Sequence, residues 1–151
     1  MLEAEIILHQ LNQTYDLITF DEAAYTVADV HRLAGKQIQD SVTVKTLIVV
    51  GKKTNQRYCF VLIGTDRLDS SKVKTIIGES YSMADAATVT EVAQSEPGSV
   101  CPFLVTIPLY IDAKVFAATT INIGSGHHQF GINLPSEGLR KLKYQEVQVS
   151  S

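Results

Sequence analysis

The most β-favouring stretch of the chain lies at residues 43–50, where β-branched side chains dominate and Gly51 closes the run. Its last four residues are apolar without a break, which predicts a strand covered on both faces. A polar segment at 52–56 and a second apolar run at 58–63 follow, so the two runs predict a hairpin. Lys45 stands at the entrance to the first strand. Either its aliphatic stem packs against the fold while its ammonium group stays in water, or the ammonium group takes part in a binding or catalytic site, because a buried ammonium needs a partner.

Helical spacing and capping residues predict short helices around this hairpin. Apolar side chains recur at helical spacing over residues 2–11. Thr26 is suited to cap a helix from Val27 to about Leu33, which Gly35 would end. Four more helical segments are predicted: 70–76, capped by Ser70 and Ser71 and ended by Gly78; 83–87; 89–94, with Thr88 and Glu91 as a capping box; and 135–143.

The remaining apolar segments predict further strands. These are residues 15–20, 115–123, 128–134 and 146–149, with a second hairpin across the glycine-rich turn at 124–126. Residues 104–111 are apolar, but Pro108 interrupts them, which indicates an edge strand or an extended connection. Strands and helices intermix without a regular βαβ rhythm. We therefore expect one α+β domain over residues 1–151, with a mixed sheet.

Composition narrows the classes of function. The chain has 151 residues, 45% of them hydrophobic and 19% charged, with a net charge of −3. That balance argues against a protein that grips nucleic acid by bulk charge, and we expect no DNA partner. No apolar run approaches the roughly 18 residues of a membrane span. The first residues are acidic where a signal peptide would be basic, so we expect a cytoplasmic protein with Cys59 and Cys101 as reduced thiols.

A loop at residues 96–102, bracketed by two prolines, is the first candidate for chemistry. Gly98 lets the backbone approach a ligand, and Pro102 fixes the far end. The N–H groups between them could therefore point at a carbonyl oxygen or an oxyanion. Cys101 in this loop could suggest a nucleophile, but a small buried hydrophobic residue is the more common role for such a cysteine.

The second candidate is the run Gly124-Ser125-Gly126-His127-His128. A glycine-rich turn with two histidines could bind phosphate or donate a proton, or it could be a plain hairpin turn with surface histidines. It lacks the Gly-Lys-Ser/Thr ending of a Walker A loop. We expect no metal site, because neighbouring side chains on a strand point to opposite faces. Asp112, after an apolar run, could cap the next turn or serve the site.

The order of these features resembles the YbaK and prolyl-tRNA synthetase editing-domain family over roughly residues 10–135. The resemblance rests on the following residues: Tyr25-Thr26-Val27, Lys45-Thr46-Leu47, Met83-Ala84-Asp85-Ala86, Gly98 to Pro102-Phe103, Ile111-Asp112, and Gly126-His127-His128-Gln129-Phe130-Gly131-Ile132-Asn133. It implies a curved mixed sheet or partly open barrel surrounded by short helices. It also implies a hydrolase that needs no cofactor and removes a wrong amino acid from aminoacyl-tRNA.

By that resemblance, Lys45, Gly98 and His128 would be the catalytic residues. Lys45 would contact the terminal nucleotide or the ester, and the backbone from Gly98 to Pro102 would position the ester carbonyl. The implied substrate-binding set is Thr46, Ser99, Val100, Cys101, Pro102, Asp112, Gly124, Ser125, Gly126 and His127.

The resemblance implies a trans-acting deacylase that removes alanine or cysteine from proline tRNA. Its partners would be the tRNA acceptor end and an aminoacyl-tRNA synthetase. Two alternatives stay open. One is a non-catalytic module that binds tRNA or a synthetase, and the other is a metal- or nucleotide-dependent hydrolase that uses His127 and His128.

Overall fold

The computed structural model describes residues 1–151. The strands are β1 (Asp16–Thr19), β2 (Val42–Gly51), β3 (Arg57–Ile63), β4 (Tyr81–Met83), β5 (Leu109–Asp112), β6 (Thr120–Gly124), β7 (Phe130–Pro135) and β8 (Gln145–Val147). The helices are α1 (Glu3–Gln10), α2 (Val27–Ala34), α3 (Ser70–Ile77), α4 (Ala86–Ala93), α5 (Ala113–Ala117) and a 3₁₀ helix at Ser136–Lys141. None of these helices has the length and apolar character that a membrane crossing requires.

The β2 strand joins the two halves of one mixed, eight-stranded sheet. The strand order is β1-β7-β6-β2-β3-β5-β8, and β4 pairs with β2 outside this path. One edge of β2 pairs antiparallel with β3 from Val44 to Val50. The other edge is shared: Val42 and Thr43 pair parallel with β6, and residues 49–51 pair antiparallel with β4. Residues 44–48 therefore have no strand beside them on that edge, and the sheet opens there.

Alternation along β2 and β3 divides the core between the two faces of the sheet. Val44 and Ile48 belong to a cluster of 21 buried residues that also takes in side chains of α1, α4, α5 and the 3₁₀ helix. Val49 belongs to a cluster on the opposite face under α3, and a third cluster packs α2 against β1. Ile48 and Val49 are 2% and 0% exposed, which confirms that this part of β2 is covered on both faces.

Both predicted hairpins are confirmed. β2 pairs with β3, and β6 pairs with β7, each antiparallel. The predicted cap of α2 is also confirmed, because Thr26 Oγ1 accepts a hydrogen bond from the Asp29 N–H at 3.1 Å. The mixed α+β class agrees with the observed sheet.

Two predicted helix starts were wrong. Asp69, rather than Ser70 or Ser71, caps α3, and Asp85 caps a single helix, α4, in which Thr88 lies inside the first turn. In both cases the aspartate accepts from a backbone N–H three residues ahead, so it satisfies one of the free donors in the first turn of the helix. Residues 81–83 are a strand because the end of β2 offers them a free edge.

Two predicted strands were also shorter than expected. β5 begins only at Leu109, after Pro108, and it lies between β3 and β8 rather than at an edge. Residues 113–117 form α5, because Asp112 accepts a hydrogen bond from the Lys114 N–H and starts a helical turn. The second strand of this region, β6, therefore begins at Thr120.

A buried carboxylate holds the turn between β2 and β3. Glu79 is 7% exposed, and its Oε1 accepts hydrogen bonds from the Lys53 and Thr54 N–H groups at 2.6 and 2.9 Å. The Thr54 hydroxyl donates to its second oxygen. These bonds, first that of the Thr54 hydroxyl, lower the pKa of Glu79 below its ordinary value.

We predict that Glu79→Gln lowers the stability of the fold at neutral pH, because the amide places a donor group among donors. Because folding lowers the pKa of Glu79, its ionised carboxylate stabilises the folded state at pH values above its pKa in the unfolded chain. This contribution is lost as the pH falls through its pKa in the folded state. The difference in urea midpoint between the wild type and the variant should therefore be largest at neutral pH and shrink below about pH 4.5. Exposed Asp40, changed to Asn, is the control, and an equal pH dependence there would contradict this role for Glu79.

Candidate active site

A cavity of about 200 Å³ lies where β2 and β6 part. Its floor comes from residues 43–47 of β2 and 122–124 of β6, and one wall comes from the start of α2. The loop at 98–100 and the two histidines at 127 and 128 complete the lining. The opening in the sheet therefore brings together four segments that are distant in sequence.

The start of α2 is fixed by a reciprocal pair of caps. Thr26 accepts from the Asp29 N–H, and Asp29 Oδ2 accepts from the Tyr25 N–H at 3.0 Å. This arrangement places Val27 and Val30 against the cavity and leaves Tyr25 56% exposed at its rim. The Tyr25 ring packs on the His128 ring with centroids 4.3 Å apart.

Two glycines allow the 98–100 loop to pack closely against its neighbours. Gly98 has a φ of +90°, and a Cβ there would overlap the carbonyl oxygen of Tyr25. A Cβ at Gly124 would overlap the carbonyl oxygen of Val100. The N–H groups of Gly98 and Val100 donate no hydrogen bond within the protein. They are therefore free to donate to an oxygen atom of a ligand.

Lys45 lies at the cavity on the open stretch of β2 and is partly buried. The ammonium group of Lys45 forms no ion pair. The nearby Asp66 pairs with Lys114 instead, at 3.5 Å. Partial burial lowers the pKa of Lys45; the negative charge of Asp66 opposes this shift, and the positive charge of Arg67 adds to it. Lys45 thus brings an unpaired cation to the cavity wall.

The two histidines occupy different environments. His127 is exposed, while the side chain of His128 is only 14% exposed. His128 Nδ1 contacts the carbonyl oxygen of Ala24 at 3.0 Å, and its Nε2 contacts Glu96 Oε2 at 3.1 Å. Both partners are hydrogen-bond acceptors, so neither ring nitrogen is left free. His128 thereby connects the start of α2 to the loop that carries Gly98.

The cavity gathers eight of the residues that the sequence singled out and leaves five outside. Those that line it are Lys45, Thr46, Gly98, Ser99, Val100, Gly124, His127 and His128. The Thr46 hydroxyl oxygen is buried there without a hydrogen-bond partner. The five that do not line it are Cys101, Pro102, Asp112, Ser125 and Gly126.

Most of these five have structural contacts that explain their position. Asp112, 2% exposed, accepts hydrogen bonds from the N–H groups of Lys114, Val149 and Ser150, so it ties the chain end to β5. Ser125 donates to the carbonyl oxygen of Phe130 at 2.6 Å and holds the turn between β6 and β7. Burial raises the pKa of the Cys101 thiol to about 12, which keeps it protonated.

Several lining residues were not recognised as site residues from the sequence. They are Phe20, Ala24, Tyr25, Thr26, Val27, Val30, Thr43, Val44, Leu47, Asn122, Ile123, Phe130 and Gly131. Most are apolar and follow the periodicity of an ordinary core face, so the pattern carried no separate signal for them. Six of them, namely Tyr25, Thr26, Val27, Leu47, Phe130 and Gly131, belong to the motifs that carry the family resemblance, and those motifs were the signal available.

Comparison with solved structures identifies the same fold in other proteins. A hypothetical protein, APE2540, superposes with a TM-score of 0.85 at 24% identity, over 97% of this chain and 98% of its own. A protein described as a candidate trans-editing enzyme for prolyl-tRNA synthetase superposes with a TM-score of 0.80 at 19% identity. That match covers 100% of this chain and 99% of the other. At these identities the likeness establishes the fold alone.

The family follows from the sequence itself. Residues 21–142 match the family model of the aminoacyl-tRNA editing domain. This stretch includes every residue that lines the cavity except Phe20. The chain therefore belongs to the aminoacyl-tRNA editing domain family. The expected resemblance and the expected fold are both confirmed.

We predict that Gly98→Ala destabilises the protein more than Gly78→Ala does. Both glycines have positive φ, +90° and +82°, so both substitutions carry the backbone strain of about 1–3 kcal/mol. Only at Gly98 does the new Cβ overlap another atom, whereas nothing lies within 4 Å of a Cβ at Gly78. Urea unfolding of the two variants measures the difference. Equal losses of stability would contradict the close contact between the loop and Tyr25.

Proposed function

We propose that this domain is a trans-acting deacylase that hydrolyses the ester of a mischarged small amino acid, alanine or cysteine, on proline tRNA. The observation that carries the proposal is one cavity lined both by Lys45, which has no ion-pair partner, and by Gly98 and Val100, whose N–H groups donate no hydrogen bond within the protein. Its volume of about 200 Å³ is below the roughly 300–1,000 Å³ of pockets for drug-sized ligands. That size suits the small aminoacyl end of a tRNA, with the rest of the acceptor end outside.

The proposed reaction needs positioning more than a covalent intermediate. Water attacks the ester carbonyl carbon, and negative charge develops on the carbonyl oxygen, which the N–H groups of Gly98 and Val100 would stabilise. The tetrahedral intermediate then breaks its bond to the ribose oxygen. That oxygen takes up one proton of the attacking water and leaves as a hydroxyl, the other proton passes to solvent, and the free amino acid leaves as a carboxylate. The Lys45 cation would hold the terminal nucleotide or the ester.

The side chains near the cavity favour water as the nucleophile. Cys101 is fully buried outside the cavity, with its thiol protonated. The Ser99 hydroxyl donates to the carbonyl oxygen of Glu96 at 3.1 Å, so its proton is already engaged and no base contacts its oxygen. A nucleophilic serine or cysteine needs an adjacent base, and neither residue has one.

We assign His128 a positioning role within this proposal. Its two ring nitrogens contact the Ala24 carbonyl and Glu96, and its ring packs on Tyr25. These contacts tie the segment before α2 to the loop that carries Gly98. Exposed His127 has no comparable contacts to either segment, although it packs edge-on against Phe130.

We predict that Lys45→Met abolishes deacylation of the mischarged substrate while the protein stays folded, because methionine keeps an apolar stem and removes only the charge. The loss should be about a hundredfold or more, the usual effect of removing an electrostatic contact to the reacting group. The assay presents alanyl-, cysteinyl-, seryl- and correctly charged prolyl-tRNA to each protein, with a protein-free blank. Lys53→Met, on the exposed turn after β2, is the matched control.

The panel separates this proposal from its alternative. Turnover of one mischarged tRNA that is lost in Lys45→Met and kept in Lys53→Met supports the deacylase and identifies its substrate. Binding of tRNA or of a synthetase by the folded wild type, with no turnover of any charged species, would instead support a non-catalytic binding module.

A further inference from the structure

Two buried asparagines form a polar relay at the floor of the cavity. Asn122 of β6 and Asn133 of β7 are register partners and are 2% and 8% exposed. Asn122 Nδ2 donates to Asn133 Oδ1 at 2.8 Å, and Asn133 Nδ2 donates to the carbonyl oxygen of Gln37 at 3.3 Å. Asn122 lines the cavity, whereas Asn133 does not.

The Gln37 carbonyl determines the direction of the whole relay. A backbone carbonyl can only accept, so Asn133 must turn its NH₂ group towards it and its oxygen towards Asn122. Asn122 must in turn use its NH₂ group to reach that oxygen. Its own Oδ1 is left over, and so is the second N–H of its NH₂ group, since a single hydrogen bond joins the two side chains. Asn122 therefore brings an oxygen acceptor without a protein partner to the lining of the cavity.

Gly131 packs directly against this amide. A Cβ at residue 131 would lie 3.1 Å from Phe20 Cζ, 3.2 Å from Asn122 Nδ2 and 3.6 Å from Oδ1, so a larger residue there would crowd the amide. Gly131 itself lines the cavity. With no donor in the protein, Asn122 Oδ1 gains a hydrogen bond only from water or from a ligand in the cavity.

The position of Asn122 relative to Lys45 indicates which kind of ligand group would donate a hydrogen bond to Asn122 Oδ1. Asn122 is the register partner of Thr43, which lies two residues, or about 7 Å along the strand, from Lys45. A cationic or amino group would be repelled by the Lys45 ammonium and attracted by a carbonyl-type oxygen. The aminoacyl ester carries such a group, its α-amino group, next to the ester carbonyl.

We propose that Asn122 Oδ1 accepts a hydrogen bond from the α-amino group of the aminoacyl ester and so orients the substrate in the cavity. This inference rests on the proposed function. It makes Asn122 a specificity determinant that selects esters of α-amino acids over esters of simple acids, while the ester itself lies towards Lys45 and the Gly98 loop.

The test compares two substrates that differ only in the α-amino group: alanyl-tRNA and propanoyl-tRNA. The wild type should prefer alanyl-tRNA in kcat/KM by about tenfold to a hundredfold, the usual range for a hydrogen bond to a charged group. In Asn122→Leu, which removes the acceptor at similar volume, that preference should vanish because only the alanyl rate falls. A purely structural relay predicts that both rates fall together and that the preference remains, which would overturn the proposal.

A binding measurement separates this inference from the deacylase proposal and does not depend on the variant folding. Adenosine that carries alanine through a non-hydrolysable 3′-amide is titrated into the wild type beside its propanoyl counterpart. Tighter binding of the alanyl compound, by about tenfold or more, supports the role of Asn122 even if no charged tRNA is hydrolysed. Equal binding of the two compounds would overturn it, even if the protein proves to be a deacylase.

Discussion

The structure depends on how β2 divides its pairing among three strands. Backbone N–H and C=O groups need partners, and β2 finds them with β3 along one edge and with β6 and β4 at the two ends of the other. The middle of that second edge is left open. The cavity forms there, so the opening in the sheet also creates the candidate site. The 98–100 loop fills part of the gap without closing it.

Much of the candidate site is made of backbone and of side chains that hold backbone in place. The loop donors belong to the peptide groups of Gly98 and Val100, and their position depends on close packing against Tyr25 and Gly124. His128 connects the segment before α2 to the loop that carries Gly98. The proposed hydrolysis of an activated ester is consistent with this arrangement, since binding and orientation supply most of what such a reaction requires.

Polar groups inside this protein act mainly as ties between distant segments. Glu79 holds the turn after β2, Asp112 holds the chain end against β5, and the Asn122–Asn133 relay joins β6 and β7 to the segment after α2. Each is buried and each is matched to backbone partners, as buried polar groups must be. Asn122 differs from the others because one of its polar atoms remains unmatched within the protein and faces the cavity.

The sequence by itself determined the features that depend on local chemistry. These include the two hairpins, the Thr26 cap, the family, and the choice of Lys45 and Gly98 as candidate residues. It could not determine that residues 81–83 form a strand, because a free edge of β2 decides this. Only the tertiary structure separated Lys45 and Gly98 from Cys101 and Asp112, since burial and hydrogen-bond partners are set by segments far away in sequence. The direction of the Asn122 amide has the same origin: a carbonyl group at residue 37 imposes it.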